Sequence, residues 1–314
     1  MSSHANLLAI TPSLRPNFLL LSAAMVVLSA GLLAALGHQM DVLTFVWVTV
    51  MAVLAHALVN LKNEIDDTRS GLDALTTKTP FSGGTGTLLQ SEAHLQKAKA
   101  LFYGVFLLFA GLGMGLLSTL SLSVVQMSIL LLMVLLGVWI IWFYTTVCNR
   151  SVLLSSVVSG LSFGPIIMVA TAMVVAPEQW GSLLLWSLLP FVWVNNLLLI
   201  NQIPDQEADA QVGRRNFVIV YGYFNALKLY LITGWGAMLL LAVLLVSFAP
   251  SPWLWLLMVW VLVLLKIQQN IKMLILPDGL MRWPHTLTQT QGLTVVMNLG
   301  LPLSIGLAFL ISAL

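Results

Sequence analysis

Polar side chains that could bind a cation are concentrated in two short stretches of an otherwise apolar chain. In the first stretch, Asn63, Glu64 and Asp67 follow Asn60 by three, four and seven residues, so all four lie on one face if the stretch is helical. Asp73 follows shortly afterwards. Carboxylate and amide oxygens of this kind favour a hard cation such as Mg2+, which proteins typically hold through one or two carboxylates together with substrate phosphates.

The second stretch has the same character. Asn201, Asp205 and Asp209 are four residues apart, so a continuous helix would present all three on one face. Pro204 lies between them and predicts a kink or the start of a new turn. We therefore expect two separate groups of oxygen ligands.

The elements that must position these groups are membrane-spanning helices. Of the 314 residues, 59% are hydrophobic and only 8% are charged, whereas a soluble domain has about 25% charged residues. A span needs about 20 apolar residues, and nine runs meet this length, which predicts one all-helical transmembrane domain over residues 1–314. The runs cover roughly residues 16–37, 42–62, 98–118, 123–147, 152–176, 180–202, 219–248, 253–275 and 290–313.

The charged residues predict the orientation. All 13 Lys and Arg residues, and every acid except Asp41 and Glu178, fall on one side of the nine runs. The positive-inside rule places that side, with the N-terminus, in the cytoplasm of what we expect to be a bacterial inner membrane, and the odd number of runs places the C-terminus outside. We interpret Phe18 to Leu36 as a retained span rather than a signal peptide, because a long segment precedes it. The basic residues form no continuous stripe, so no nucleic-acid partner is expected.

The two acidic stretches end the second and the sixth run, which are four spans apart and have the same polarity. This spacing predicts two tandem four-helix halves around a central cavity, plus a ninth helix. Each half would offer one acidic helix end to the cavity. Carboxylates at such positions in a membrane protein are costly and usually functional.

Two acidic groups facing one cavity could hold Mg2+ ions around a diphosphate, and the metal would neutralise the leaving group. Arg69, Lys78, Arg214 and Arg215 lie in the same loops and could contact phosphate directly. An apolar remainder of the cavity suits an isoprenoid tail in lipid. Tyr144, at the end of the fourth run, could stabilise an allylic cation by about 0.5–2 kcal/mol. His56 is either a satisfied polar residue of the bundle or an acceptor-binding group.

The motifs resemble those of the UbiA superfamily of intramembrane prenyltransferases. Asn63-Glu64-x-x-Asp67-x-x-x-Gly71-x-Asp73 is similar to the first aspartate-rich motif of that family, and Asp205-x-x-x-Asp209 followed by Gly213-Arg214-Arg215 is similar to the second. Further similarities are Arg15-Pro16, Thr79-Pro80-Phe81-Ser82-Gly83-Gly84, Phe143-Tyr144-Thr145 and Phe163-Gly164-Pro165. This set most resembles the branch that prenylates 1,4-dihydroxy-2-naphthoate.

The resemblance implies nine helices and Mg2+-dependent transfer of a prenyl group from a prenyl diphosphate to an acceptor, usually aromatic. The implied metal ligands are Asn63, Glu64, Asp67, Asp73, Asp205 and Asp209. Catalytic roles are implied for Asp67, Asp73, Asp205, Asp209 and Tyr144, and substrate contacts for Asn63, Arg69, Lys78, Arg150, Asn201, Arg214 and Arg215.

The chain departs from the family pattern at two places. Glu64 stands where Asp is usual, and Asn216 stands where Thr is usual. Arg150 occupies the offset from Tyr144 at which some branches carry a basic residue. A specialised acceptor fits these features as well as the naphthoate branch does. Two alternatives stay open from the sequence: a terpene cyclase of the same family, and an ion-coupled secondary transporter.

Overall fold

A computed structural model describes residues 7–248, 254–282 and 284–313, and within these ranges the chain is helical with no β-strand, which confirms the predicted all-α class. The α-helices are α1 (Pro16–Ala35), α2 (Val42–Ser70), α3 (Leu72–Leu75), α4 (Glu92–Thr119), α5 (Val124–Phe143), α6 (Val152–Leu161), α7 (Ile167–Val175), α8 (Trp180–Trp186), α9 (Leu188–Asn201), α10 (Gln206–Gln211), α11 (Phe217–Phe248), α12 (Leu254–Leu274), α13 (Gly279–Arg282) and α14 (Pro284–Ser312). Short 3-10 helices lie at Leu7–Leu14, Thr87–Gln90, Cys148–Arg150 and Pro177–Gln179.

Nine long helical units correspond to the nine predicted runs in the part of the chain that is described. Seven of them, including the joined unit Val152–Val175, are long and apolar enough to cross a membrane. The bent pair α8–α9 makes an eighth candidate span, with a 45° bend. The eighth predicted run corresponds to α12, a helix of 21 residues that directly follows the undescribed residues 249–253.

Helix α2 carries the first acidic stretch beyond the apolar layer. Its first turn is capped by Asp41, whose carboxylate accepts a hydrogen bond from the Thr44 backbone N–H at 3.0 Å, and it ends at Gly71 with φ 78°. A helix of 29 residues is about 44 Å long, whereas the hydrocarbon core is about 30 Å thick. The run predicted to end near residue 62 therefore continues as helix, and its last turns present polar side chains at the membrane surface.

The second acidic stretch is broken rather than continuous. Helix α9 ends at Asn201, a turn follows over residues 202–205, and α10 begins at Gln206. The prediction that Asn201, Asp205 and Asp209 share one helical face is wrong, because Pro204 lacks an N–H and cannot continue the helix past this point. The predicted kink at Pro204 is confirmed.

Two further breaks shape the bundle. A π-turn over Ser162–Ile166 joins α6 to α7 and contains Pro165. Gly222 has φ 80° and ψ 156° inside α11, so Phe217–Tyr221 is a separate first turn before the long part of that helix.

The packing closes the bundle into a ring. Helix α1 packs against both α2 and α14, and α14 packs against α9 and α12. The largest core cluster is formed mainly by residues of α1, α7, α9, α11, α12 and α14. A second cluster joins the first 3-10 helix to α2 and α4. The first and last spans thus lie side by side.

The contact between α1 and α14 depends on two glycines. A Cβ placed on Gly31 would lie 2.7 Å from the Gly306 Cα, and one placed on Gly306 would lie 2.5 Å from the Val27 carbonyl oxygen. Small residues allow such close approach between membrane helices.

We expect Gly306→Ala to destabilise the protein by about 1–3 kcal/mol through overpacking. The measurement is the denaturation midpoint in detergent. Gly111→Ala is the control, since a Cβ there meets no atom within 4 Å, and equal midpoints for the two variants would contradict the close packing.

Candidate active site

One cavity of about 280 Å³ connects the two acidic stretches with the interior of the bundle. Its walls come from α1, α2, the region from α5 to α7, α9 and the segment after it, and the loop over residues 76–84. One end carries carboxylates and amides. The other end is lined mainly by aliphatic residues together with Phe18 and Phe163. The cavity is therefore amphipathic along its length.

The structure brings most of the predicted site residues to this cavity. Those that line it are Asn63, Asp67, Asp73, Tyr144, Asn201, Asp205, Asp209 and Arg214. Those that do not are Glu64, Arg69, Lys78, Arg150 and Arg215. The break after α9 does not separate the second acidic group, because the turn folds Asp205 and Asp209 towards the same space as Asn201.

Arg214 connects the two acidic groups. Its guanidinium donates to a carboxylate oxygen of Asp67 and, at 2.9 Å, to a carboxylate oxygen of Asp209. The Arg214 side chain is only 14% exposed, and the side chains of its two partners are buried. One cation therefore balances two carboxylates that come from opposite halves of the chain, in an environment where an unpaired charge is costly.

Amide side chains orient the same carboxylates. The Asn63 amide donates to Asp67 at 2.9 Å and its carbonyl accepts from the Thr145 hydroxyl at 3.0 Å. Asn216 donates to Asp209 at 3.2 Å, while its own carbonyl accepts from the Ile219 N–H and caps α11. The asparagine that departs from the family pattern thus combines a helix cap with a contact to the second acidic group.

Free oxygen atoms in the cavity suit a divalent cation. Asn201 Oδ1 and Asp205 Oδ1 are buried and accept no hydrogen bond from any described residue. Both residues line the cavity beside Asp209, and carboxylate and amide oxygens are the ligand types that Mg2+ prefers. Among the described residues, no three His, Cys, Asp or Glu side chains converge as a ready metal site. Instead, the Arg214 guanidinium lies between Asp67 and Asp209 and pairs with both carboxylates.

Burial shifts the titration of the loop carboxylates. Desolvation, reinforced by Glu64 and Asp67, raises the pKa of Asp73 to about 7. Desolvation, reinforced by Asp209, raises the pKa of Asp205 to about 6, and burial also raises the pKa of Asp209 against the opposing effect of Arg214. Carboxyl groups whose pKa values are raised by burial are typical of functional sites, including sites that bind a cation. Burial also raises the pKa of the Tyr144 hydroxyl, which accepts a hydrogen bond from Ser159 at 3.4 Å.

Glu64 is directed away from the cavity. Its carboxylate accepts hydrogen bonds from the Thr85 N–H at 2.9 Å, the Gly86 N–H at 3.0 Å and the Thr85 hydroxyl, and it lies 3.6 Å from Arg15. Residue 64 is one position from Asn63, so its side chain is rotated by about 100° around α2. The predicted shared face of α2 consequently holds for Asn60, Asn63 and Asp67, which line the cavity, but Glu64 contacts the following loop.

The other four basic residues predicted to bind substrate lie at the surface. Arg69, Lys78, Arg150 and Arg215 are exposed. The Lys78 ammonium donates to the Thr85 carbonyl at 2.9 Å, so this residue braces the loop. Arg215 differs sharply from its neighbour Arg214, which is directed inward. Their predicted roles in phosphate binding stay predictions.

Two features of the cavity were not predicted: Arg15 as a lining residue, and the pairing of His56 with Ser22. Arg15 lines it and adopts φ 50° and ψ 60°, a left-handed conformation that residues with a side chain seldom occupy. The sequence feature that could have indicated Arg15 as a site residue is its position directly before the first span. At the apolar end, Ser22 and His56 share a hydrogen bond of 2.8 Å, and the His56 ring meets Phe163 edge to face at 4.8 Å. The pairing of two polar residues from separate spans leaves no signal in the sequence.

The comparisons with known proteins agree with this site. The sequence pattern of the UbiA prenyltransferase family matches residues 23–274. The chain therefore belongs to the UbiA prenyltransferase family, and it is a prenyltransferase that is integral to the membrane. This membership excludes the transporter alternative. No curated protein sequence matches the chain.

Solved structures share the fold. A UbiA homolog from Aeropyrum pernix K1, described without ligand, has a TM-score of 0.63 and 15% identity, covering 94% of this chain and 98% of its own. A UbiA homolog from Archaeoglobus fulgidus bound to DMAPP and Mg2+ has a TM-score of 0.63 and 13% identity, covering 94% and 99%. A digeranylgeranylglyceryl phosphate synthase has a TM-score of 0.55 and 15% identity, covering 96% and 99%.

Proposed function

We propose that this prenyltransferase moves a prenyl group from a prenyl diphosphate to an aromatic acceptor inside the membrane, with Mg2+ at the acidic end of the cavity. The observation that carries the proposal is the cavity itself. It joins a carboxylate-lined end, which suits a metal-bound diphosphate, to an apolar end that suits an isoprenoid chain. The DMAPP and Mg2+ bound to the Archaeoglobus fulgidus homolog support the same pairing.

The residues that would hold Mg2+ are those whose oxygens face the acidic end. They are Asp67 and Asp73 from the first motif and Asn201, Asp205 and Asp209 from the second. Bound Mg2+ would neutralise the negative charge that develops on the departing diphosphate. Asn63 keeps Asp67 oriented towards the cavity through its hydrogen bond. Arg214 lies where its guanidinium can also meet phosphate oxygens, in the planar geometry that suits them.

The reaction breaks the bond between the prenyl C1 atom and the diphosphate oxygen, and the electron pair leaves with the diphosphate. An electron-rich carbon of the acceptor supplies the pair for the new carbon–carbon bond. The proton on that carbon then passes to a carboxylate of the cavity or to water. Tyr144 and Phe163 both line the cavity, where an aromatic face can stabilise a cation-like carbon.

The Ser22–His56 pair supports an aromatic acceptor with polar substituents. Their hydrogen bond places polar atoms in the apolar part of the cavity, and the Phe163 ring lies perpendicular to the His56 ring. Along α2, His56 lies about 10 Å from Asn63, so one ring system fits between the imidazole and the acidic end. The motif set that resembles the naphthoate branch supports a quinone precursor as the acceptor.

The distribution of charge supports an orientation in a bacterial inner membrane. Four exposed basic residues each lie within two residues of a cavity-lining residue, on the side predicted to be cytoplasmic: Arg69, Lys78, Arg150 and Arg215. The N-terminus would lie on this side and the C-terminus outside. Prenyl diphosphate would then reach the acidic end from the cytoplasm while its tail stays in lipid.

An assay with purified protein tests the proposal. The protein in detergent is incubated with radiolabelled dimethylallyl, geranyl, farnesyl or geranylgeranyl diphosphate and aromatic acceptors that include 1,4-dihydroxy-2-naphthoate. We expect a prenylated product that requires both Mg2+ and the acceptor, and that disappears with EDTA. Release of diphosphate with a cyclised hydrocarbon and no labelled acceptor would support the cyclase alternative instead. Product formation that is unaffected by EDTA would contradict the role of Mg2+.

A further inference from the structure

The contacts of Glu64 assign this residue a role that its motif position does not indicate. Its side chain is fully buried. It does not line the cavity, although Asn63 and Asp67, which precede and follow it in the motif, both do. Oε1 accepts three hydrogen bonds: from the Thr85 N–H at 2.9 Å, from the Gly86 N–H at 3.0 Å and from the Thr85 hydroxyl. Oε2 lies 3.3 Å from the Thr85 N–H and 3.6 Å from the Arg15 guanidinium.

These partners leave no free position on Oε1. An ionised carboxylate has about four lone-pair sites on its two oxygens, and three donors already converge on one oxygen of Glu64. A metal ligand would need an oxygen that such donors do not occupy, on a residue that lines the cavity, as Asn201 Oδ1 and Asp205 Oδ1 are. We infer that Glu64 is a positioning residue that fixes the loop and Arg15 at the active site, and that it is not a ligand of Mg2+.

The loop that Glu64 holds forms part of the cavity wall. Phe81, Ser82, Gly83 and Gly84 line the cavity, directly before the anchored Thr85. The loop is also attached to the second acidic group, because the Gly83 N–H donates to Asp205 Oδ2 at 3.2 Å. Its position therefore determines the shape of the diphosphate end from both sides.

The fit around the loop is close. Gly84 has φ 65°, and a Cβ there would collide with Asp73 Oδ1. Gly86, whose N–H donates to Glu64, has φ 63°, and the Lys78 ammonium occupies the space that its Cβ would need. Glycine permits both the backbone conformation and the close approach. A shift of the Thr85 anchor would consequently disturb Asp73, which lines the same cavity.

Arg15 is the second group that Glu64 holds. Its backbone is in the left-handed region directly before Pro16, and such strain persists only where the surrounding contacts maintain it. The Arg15 side chain is 26% exposed and lines the cavity, whereas Glu64 is 0% exposed. The buried carboxylate thus directs one cationic side chain to the wall of the cavity.

Two conservative substitutions distinguish a positioning residue from a metal ligand. Gln in place of Glu64 keeps the oxygen that accepts the three loop hydrogen bonds and loses the negative charge. Asp keeps the charge but is shorter by one carbon–carbon bond, about 1.5 Å. Its carboxylate therefore does not reach the loop, and the hydrogen bonds from the loop are lost. A positioning role therefore predicts that Glu64→Gln is the milder change, whereas a metal-ligand role predicts that Glu64→Asp is the milder one.

The experiment measures hydrogen exchange of the loop and steady-state kinetics in Glu64→Gln, Glu64→Asp and Glu64→Ala. Glu92→Gln, at an exposed glutamate of α4, is the control. We expect at least about tenfold faster exchange at residues 85–86 in the Asp and Ala variants, with exchange close to wild type in the Gln variant. The exchange measurement needs no substrate and no activity, so it stands apart from the proposed function on which the kinetic part rests.

In the kinetic part, we expect the KM for prenyl diphosphate to rise about tenfold in Glu64→Asp, while the Mg2+ concentration for half-maximal rate stays within about twofold of wild type. Wild-type exchange in both Asp and Ala variants would overturn the positioning role. A tenfold or larger rise in the Mg2+ requirement of Glu64→Gln would overturn it as well. If Glu64→Ala does not fold, the comparison of Glu64→Gln with Glu64→Asp is sufficient to distinguish a positioning residue from a metal ligand.

Discussion

Asp205→Asn is expected to abolish prenyl transfer without unfolding the protein. The substitution keeps the shape of the side chain and can keep the hydrogen bond from the Gly83 N–H. It neutralises a cavity-lining carboxylate, proposed above as a Mg2+ ligand, whose buried Oδ1 has no hydrogen-bond partner among the described residues. Removing an ordinary supporting group around a metal costs about 10–100-fold in affinity or activity, so loss of a ligand should cost at least about a hundredfold in kcat/KM.

The stability of the metal-free Asp205→Asn protein should equal or exceed that of wild type. Burial raises the pKa of Asp205 to about 6, so the folded state binds the proton more tightly than the unfolded state does. The stability of wild type should therefore fall as the pH rises from about 4 towards 6 and stay lower above that range. The asparagine carries no charge, so it removes the loss of stability that ionisation of Asp205 causes. The measurement is the denaturation midpoint of both proteins in detergent at pH 7.5.

Glu207→Gln is the matched control for Asp205→Asn. Glu207 lies two residues away in α10, is exposed and does not line the cavity. Its neutralisation should leave both activity and midpoint unchanged. An inactive Glu207→Gln, or an Asp205→Asn protein with more than about a tenth of wild-type kcat/KM, would contradict the assignment of Asp205 to the metal end.

The amphipathic cavity was predictable from the chain, and the two acidic helix ends show why. Asp67 and Asp209 are distant in sequence, yet one lies near the end of a span and the other shortly after the end of a span of the same polarity. This regularity indicated that both reach one space. Spacing along the chain carries such information because every span must cross the same apolar layer. The break at Pro204 could also be predicted from the sequence, because the missing backbone N–H is a property of the proline itself.

The directions of individual side chains could not be read in the same way. Arg214 and Arg215 are adjacent, and only the docking of the loop between α10 and α11 determines that the first is directed inward and the second outward. Glu64 occupies a motif position for a metal ligand, but its partner Thr85 lies 21 residues later in a loop without periodic pattern. Contacts of this kind depend on tertiary packing.

Arg214→Met should lower both stability and activity, and Arg215→Met should lower neither. The methionine keeps much of the apolar stem of Arg214 and removes the cation that bridges Asp67 and Asp209. Breaking a buried ion pair from one side costs about 3–5 kcal/mol, because the remaining charges stay buried without a partner. Since burial already raises the pKa of Asp209, the loss of stability should shrink as the pH falls and that carboxyl takes up a proton.

Mg2+ gives this prediction a second readout, since a divalent cation can replace the missing charge between the two carboxylates. Addition of Mg2+ should raise the denaturation midpoint of Arg214→Met by more than it raises that of wild type, while prenyl transfer stays low because the arginine also faces the phosphate end. Identical midpoints for Arg214→Met and Arg215→Met would show that the bridge contributes nothing to stability. An equal response of wild type and Arg214→Met to Mg2+ would mean that Asp67 and Asp209 do not bind the metal together. Because both carboxylates belong to different halves of the bundle, the experiment also measures whether the metal end joins those halves.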